Sequence, residues 1–313
     1  MGKKRVFITG GAGFLGSAVM AHLVANNYQI MGAMRSSTDL YRCKSFSNHV
    51  EWVDTGAADY KNKVIAFKPT VVIHAAWTGV TAKDRLEWPM QLQNFNLLGD
   101  ILDIARQVKL EKLLVFGSQA EYGVIDTKVD EDHISTATDA YAITKIAMQN
   151  IIKTFCELNS IKWYWLRVFS VFGPGEAENW FIPWVITNQL NNKDLDLTLC
   201  EQRYDYLYID DFATMITKVV GADAVSGIYN ISSGKVTPLR AIVEQIEKGI
   251  KSKGKINYGA IPYRPNQSME ISGDNSKYNA TFGDIKQTDI GIALAKTVSY
   301  YKDQYISSNN SGL

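Results

Sequence analysis

Short apolar runs alternate with longer amphipathic stretches through the first half of the chain. Arg5–Thr9, Gln29–Met34, Val71–His74 and residues 113–117 read as strands, and residues 51–54 as a further short one. Between them, residues 14–26, 61–67 and 93–107 carry apolar side chains at helical spacing. Residues 160–169 and Gly227–Ile231 read as later strands. This β-α-β alternation predicts an α/β fold, a Rossmann-type doubly wound parallel sheet with helices on both faces. The pattern changes after residue 173. Pro174-Gly175 opens a stretch containing Asn179-Trp180-Phe181-Ile182-Pro183, and from about residue 234 Lys, Asn and Ser become more frequent. The expected organisation is a Rossmann domain of residues 1–173 plus about 207–233. A smaller C-terminal lobe, about 174–206 plus 234–305, would pack over the sheet's carboxyl edge, and 306–313 would form a polar tail.

With 313 residues and 46% hydrophobic content, the chain can bury a large core. Its formal net charge is +1, and no run of like charge exceeds Lys3-Lys4-Arg5. That balance argues against a nucleic-acid footprint and against an electrostatic membrane anchor. Cys43, Cys156 and Cys200 are widely separated, with neither metal-ligand spacing nor a disulfide framework, so no metal is expected and a reducing cytoplasm fits best. The apolar start is interrupted at once by Thr9-Gly10-Gly11-Ala12-Gly13, unlike a signal peptide. No apolar run approaches the roughly 20 residues of a transmembrane helix.

Gly10, Gly13 and Gly16 follow a predicted strand and open a predicted helix. In that context glycines serve a tight turn, close backbone approach to a pyrophosphate, and close helix–sheet contact. The free N–H groups of the first turn, Phe14, Leu15 and Gly16, then face the anion. At the end of the second strand an acidic residue would select NAD; here Arg35-Ser36-Ser37 stand instead, with no carboxylate until Asp39. Arg35 can pair with a 2′-phosphate and the serines can donate to it, with Arg42 as a second charge. NADP(H) is therefore the expected cofactor, the alternative being a solvated Arg. Asp54 can accept from the adenine amino group or simply cap its loop. His74-Ala75-Ala76 ends a strand with small residues that let the backbone approach a cofactor, and His74 itself reads as a structural hydrogen-bonder.

Tyr141 and Lys145 stand four residues apart on a predicted helix, so phenol and ammonium share one face. A lysine cation there would stabilise tyrosinate and bring the phenol toward proton exchange near neutrality. Together with His74-Ala75-Ala76, Asn96-x-x-Gly99, Ser118-x-x-x-Tyr122-Gly123 and Arg167-x-x-x-Val171-Phe172-Gly173-Pro174, these motifs occur in the order found in one family. The chain resembles the extended short-chain dehydrogenases/reductases that act on nucleotide sugars, with local wording similar to CDP-abequose synthase-like NDP-4-ketosugar reductases.

The resemblance implies a catalytic set of Ser118, Tyr141 and Lys145. Tyr141 would act as proton donor and Ser118 as hydrogen-bond donor to the carbonyl oxygen, with Lys145 on the nicotinamide ribose. Asn96 would order a helix or a water. In the second lobe it implies Asn179 and Arg264 as contacts for the nucleotide diphosphate, with Trp180 lining the sugar pocket. Trp163 and Trp165 read as core. Many relatives carry Arg where this chain has Tyr204, and the neighbouring Arg203 would face the other side of an extended strand. Relatives that dehydrate carry Asp-Glu after the catalytic Ser/Thr, and epimerase–reductases carry Cys there; Gln119 and Ala120 provide neither. The expectation is NADPH-dependent reduction of an NDP-4-keto-(6-deoxy)sugar at C4. An NAD-dependent 4-epimerase is the alternative, and a non-catalytic NADP(H)-binding sensor or scaffold a third reading. Residues 93–107 and 142–158 carry the apolar faces through which relatives form homodimers.

Overall fold

The computed structural model describes residues 4–265 and 267–310. Seven parallel strands form the central sheet: β1 (Arg5–Thr9), β2 (Gln29–Met34), β3 (Val50–Asp54), β4 (Val71–His74), β5 (Lys112–Ser118), β6 (Lys162–Val168) and β7 (Gly227–Ile231). Their spatial order is β7-β6-β5-β4-β1-β2-β3. The chain reverses direction of progress between β1 and β4, which opens a crevice at the carboxyl ends of those two strands. This matches the doubly wound sheet expected from the alternating pattern.

Ten helices surround the sheet among the described residues: α1 (Phe14–Ala25), α2 (Tyr60–Phe67), α3 (Trp88–Leu92), α4 (Asn94–Gln107), α5 (Ala140–Leu158), α6 (Phe181–Leu190), α7 (Ile209–Gly221), α8 (Leu239–Ile250), α9 (Ser276–Phe282) and α10 (Ile290–Asn310). Alternate residues of each strand point to opposite faces. Thus Val6, Ile8, Leu114, Phe116, Tyr164 and Leu166 join α1, α6, α7, α8 and α10 in one core. Phe7, Val72, Leu113, Val115, Trp163 and Trp165 join α2, α4 and α5 in the other. Trp163 and Trp165 are core residues, as their spacing predicted.

Beyond the main sheet, four short segments form a second sheet in the order Thr237–Pro238, Arg203–Tyr204, Glu270–Gly273, Lys128–Val129. The Lys128–Val129 strand comes from the stretch that the sequence had grouped with the Rossmann domain. Two residues of strand carry no periodicity, so only the pairing with Ser272 and Gly273 reveals them. In the stretch expected as a polar tail, α10 continues through residue 310, its Ser307 and Ser308 hydroxyls donating to the carbonyls of Asp303 and Gln304. Residues 311–313 of that tail lie outside the described residues.

Asp205 fastens the second sheet to the loop after β7. Its fully buried carboxylate accepts from Ser233 N (2.8 Å), Ser233 Oγ (2.6 Å), Gly234 N (2.9 Å) and Gly273 N (3.3 Å). Orphaning a buried donor costs about 1–3 kcal/mol. Asp205→Ala should therefore lower stability by about 3 kcal/mol or more in urea denaturation. Asp205→Asn should not restore it, because its amide would confront the Gly234 and Gly273 N–H groups.

Candidate active site

The carboxyl edge of β5 ends at Ser118, which turns directly into a short helical turn over Gln119–Tyr122. Ser118 caps that turn. Its Oγ accepts from Ala120 N (3.2 Å), and its own N–H donates to Glu121 Oε1 (2.7 Å), a reciprocal capping box. Glu121 is fully buried and also receives Trp165 Nε1 (2.9 Å to Oε2) and Arg167 Nε (3.0 Å) from β6. Burial pushes the Glu121 carboxyl upward, and Arg167 with the N–H donors pulls it back. Gly117 supplies the room: a Cβ there would collide with Trp165 Nε1 and lie 2.6 Å from Glu121 Oε1. Arg167 reaches onward to Glu131 O (3.3 Å) and stacks 4.4 Å over the Tyr122 ring, whose hydroxyl donates to Asn230 Oδ1 on β7 (2.6 Å).

Helix α5 brings the second half of the site. Asp139 caps it by accepting from Ala142 N (2.7 Å), and the buried stripe Tyr141, Lys145, Met148, Ile152 and Cys156 faces the sheet. That stripe sets the phenol and the ammonium one turn apart against β5. The Ser118 hydroxyl stands beside the Tyr141 phenol and favours its ionised form. Lys145 Nζ donates to Phe116 O (2.6 Å) and lies 3.6 Å over the Trp77 ring. Burial pushes the Lys145 ammonium down to about 7, Glu121 opposing and Arg85 adding to the fall.

Burial holds Tyr141 above the usual phenol value, and the charge that most opposes this is Arg85, whose guanidinium lies 4.6 Å over its ring. Sequence reasoning missed Arg85, Trp77 and Glu121. Trp77 meets the Tyr141 ring edge-on at 5.7 Å. Its loop is held by Gln91, which accepts from Trp77 Nε1 (2.9 Å) and donates to Gly79 O (2.7 Å), and by Asn94, which bonds both Thr78 N (2.8 Å) and Thr78 O (3.1 Å). Asn94 therefore does the ordering expected of Asn96, which is exposed. The helix phase puts the first of the two asparagines inward.

At the switch point, Gly10 has φ +70°, and a Cβ would stand 2.6 Å from Ala76 N, so the turn after β1 rests directly on Ala75-Ala76. Gly13 begins α1 with no side-chain cap and no acidic residue in the first turn, which leaves the N–H groups at Phe14, Leu15 and Gly16 for an anion. These features fit a dinucleotide's pyrophosphate. His74 is buried, with Nδ1 2.8 Å from Thr9 Oγ1, and is pushed down to about 3 by burial and the nearby Lys145, so it is neutral. Arg35, Ser36 and Ser37 are exposed in a turn closed by Thr38 N to Arg35 O (2.8 Å). Among the described residues no carboxylate pairs with Arg35. Asp54 accepts from Gly56 N (2.8 Å), so one oxygen caps its loop. Arg42 is partly committed elsewhere, since Nε donates to Gly175 O (2.8 Å).

On the opposite side, Asn179 and Trp180 are exposed at the start of α6, and Arg264 is exposed near Tyr204. Among the described residues their side chains make no hydrogen bond or ion pair. Arg203 pairs with Glu270 (3.3 Å).

The model of the NAD dependent epimerase/dehydratase family matches residues 6–232. CDP-abequose synthase from Salmonella muenchen is 25% identical over 283 residues, covering 87% of this chain and 90% of the relative. dTDP-glucose 4,6-dehydratase from Neisseria gonorrhoeae is 24% identical over 350 residues, covering 99% of each. Among solved structures, UDP-glucuronic acid 4-epimerase from Bacillus cereus, in complex with UDP-glucuronic acid and NAD, superposes with a TM-score of 0.83 at 20% identity. It covers 96% of this chain and 100% of that one.

Breaking a buried ion pair by removing one partner costs about 3–5 kcal/mol. Glu121→Ala should lower stability by that amount in urea denaturation. Glu121→Gln should recover little of it, because its amide nitrogen would face the Trp165 and Arg167 donors and leave the Arg167 cation buried without its ion pair.

Proposed function

Because the chain belongs to the NAD dependent epimerase/dehydratase family, we propose that it reduces the C4 ketone of a nucleotide-diphosphate 4-keto-(6-deoxy)sugar with NADPH. The observation that carries this reading is the Ser118 hydroxyl and the Tyr141 phenol, both buried side by side at the sheet's carboxyl edge, with no free carboxylate beside them among the described residues. The turn of Gly10, Gly13 and Gly16, with the N–H groups of Phe14 and Leu15, would hold the pyrophosphate. Ala75 and Ala76 would line the same crevice, and Asp54 would reach the adenine. A bound nicotinamide supplies a hydride to the ketone carbon. Tyr141 gives its phenolic proton to the ketone oxygen, and the Ser118 hydroxyl hydrogen-bonds that oxygen as charge gathers on it. Lys145 holds the ribose and faces the emptied phenol. Asn179, Trp180 and Arg264 are assigned to the nucleotide sugar, Arg264 as a phosphate contact.

The residues after Ser118 support reduction over dehydration. Gln119 and Ala120 carry no titratable group, and the next carboxylate, Glu121, is turned inward onto Ser118 N, Trp165 and Arg167. NADPH is supported by Arg35, Ser36 and Ser37, exposed at the end of β2 where a carboxylate would select NAD. The second reading is an NAD-dependent 4-epimerase, favoured by the likeness to the Bacillus cereus epimerase, whose structure contains NAD. The two separate on cofactor economy: an epimerase retains its nucleotide, whereas a reductase consumes it. A homodimer belongs to the same proposal, since Ile143 and Ile151 are exposed on the outer side of α5. So does a cytoplasmic location, the three cysteines being free thiols.

Absorbance at 340 nm should fall when the protein, NADPH and a CDP-, dTDP- or GDP-4-keto-6-deoxyhexose are mixed; no loss across that panel would sink the reductase reading. Tyr141→Phe should lower kcat by about 10²–10⁴-fold with cofactor affinity nearly unchanged. Arg35→Ala should raise KM for NADPH by about tenfold and leave that for NADH unchanged, the loss of one charge-assisted phosphate contact.

A further inference from the structure

We infer that Tyr204 positions Arg264 for the diphosphate of the nucleotide sugar, its phenol being the hydrogen-bonded centre of the turn that carries that arginine. The turn begins at Arg264 and is closed by Gln267 N, which donates to Arg264 O (3.3 Å). The Gln267 side chain closes it a second time, its Oε1 accepting from Arg264 N (3.3 Å). Its Nε2 then donates to the Tyr204 hydroxyl (3.2 Å), and that hydroxyl donates to Ser268 O (3.1 Å). One phenol therefore holds both the side chain that closes the turn and the backbone that leaves it.

Further bonds fasten the segment beyond the turn. Arg203 N donates to Met269 O (2.8 Å) and Asp205 N to Ile271 O (2.8 Å), which seats it on the strand bearing Tyr204. Met269 N donates to Asp126 Oδ1 (2.7 Å) and Ile125 N to Ser268 Oγ (3.2 Å). Ile125 and Asp126 follow the Gln119–Tyr122 turn that Ser118 caps, so the Arg264 turn is tied to the backbone leaving the catalytic edge. These bonds act on Ser268 and the residues after it, whereas the Tyr204 phenol reaches the turn itself. Arg203, beside Tyr204 on the strand, is committed to Glu270 (3.3 Å). Arg264 is held at its backbone while its exposed guanidinium pairs with no carboxylate among the described residues, which leaves the fork for a bidentate phosphate contact. A turn fixed beforehand has less freedom to lose when the ligand arrives, so Tyr204 is a positioning residue that acts through Arg264.

This inference rests on the proposed role of Arg264 as a phosphate contact, and the experiment separates the two. Binding of CDP, dTDP, UDP and GDP is measured by isothermal titration calorimetry, and the tightest of them is carried through the variants. Arg264→Ala should weaken that ligand by about tenfold or more, the loss of a charge-assisted contact. Tyr204→Phe, which keeps the ring and removes the hydroxyl, should weaken it by about fivefold. The double variant should bind no more weakly than Arg264→Ala, because nothing is left to position; a loss unrelated to Arg264 would multiply instead. In turnover the Tyr204→Phe loss should fall on KM rather than kcat. Tyr204→Phe binding like the wild type, or losses that multiply in the double variant, would overturn the inference and leave Arg264 on the phosphate. A wild type that binds none of these nucleotides, or Arg264→Ala binding like the wild type, defeats the phosphate reading and the inference with it.

Discussion

The Glu121 carboxylate is fully enclosed, and three donors from two strands converge on it: the Ser118 N–H, the Trp165 indole and the Arg167 guanidinium. An ion pair withdrawn from water is a weak source of net stability, because desolvation offsets most of the Coulomb gain. Its consequence here is geometric. The carboxylate ties the last residue of β5 to the end of β6, and through Tyr122 and Asn230 the tie extends to β7. Ser118 cannot shift along its strand without leaving Glu121 or Arg167 unpartnered. The phenol of Tyr141 faces the Ser118 hydroxyl so placed.

Repeating patterns were what the sequence made legible. β1, β2 and β4 were read with their observed bounds because each is a short apolar run flanked by turn residues. The glycine turn and the Tyr141–Lys145 spacing were readable for the same reason, as local geometry written in local sequence. Single residues whose role depends on distant partners were not. Glu121 reads as an ordinary polar position in Gln-Ala-Glu-Tyr-Gly, although Ser118-x-x-Glu121 is a capping-box signature that could have pointed to it. Arg85 sits in a stretch with no periodicity, and its meeting with Tyr141 is made by the tertiary fold. The Asn94 and Asn96 exchange is a smaller case, since two residues of helix phase separate an inward amide from a solvated one.

Charges around the phenol act in a volume from which water is largely excluded, so each counts for more than at the surface. Burial raises the Tyr141 phenol most, and two carboxylates, Glu121 and Asp139, add to it. The Trp77 loop opposes this in part, carrying an aromatic lid over Lys145 and, a few residues on, Arg85 over Tyr141. Gln91 and Asn94 anchor that loop through bonds to its backbone and to Trp77. Two amide side chains, one in α3 and one at the first residue of α4, thereby fix the loop that lies against the phenol.

The same accounting of carboxylates bears on reaction type. Removing water across a sugar needs an acid and a base free to face the substrate. Glu121 spends its oxygens on Ser118 N, Trp165 and Arg167, and Asp139 accepts from Ala142 N at the start of α5. Both are held by backbone or core donors whose loss would unseat the turn or the helix they cap. What remains beside Ser118 with a proton to give is the Tyr141 phenol. A site with one mobile proton and a hydrogen-bond donor beside it suits the interconversion of a ketone and an alcohol, which is common to the reductase and the epimerase readings. The choice between them then moves to the other end of the crevice, where Arg35 and two serines meet solvent at the end of β2.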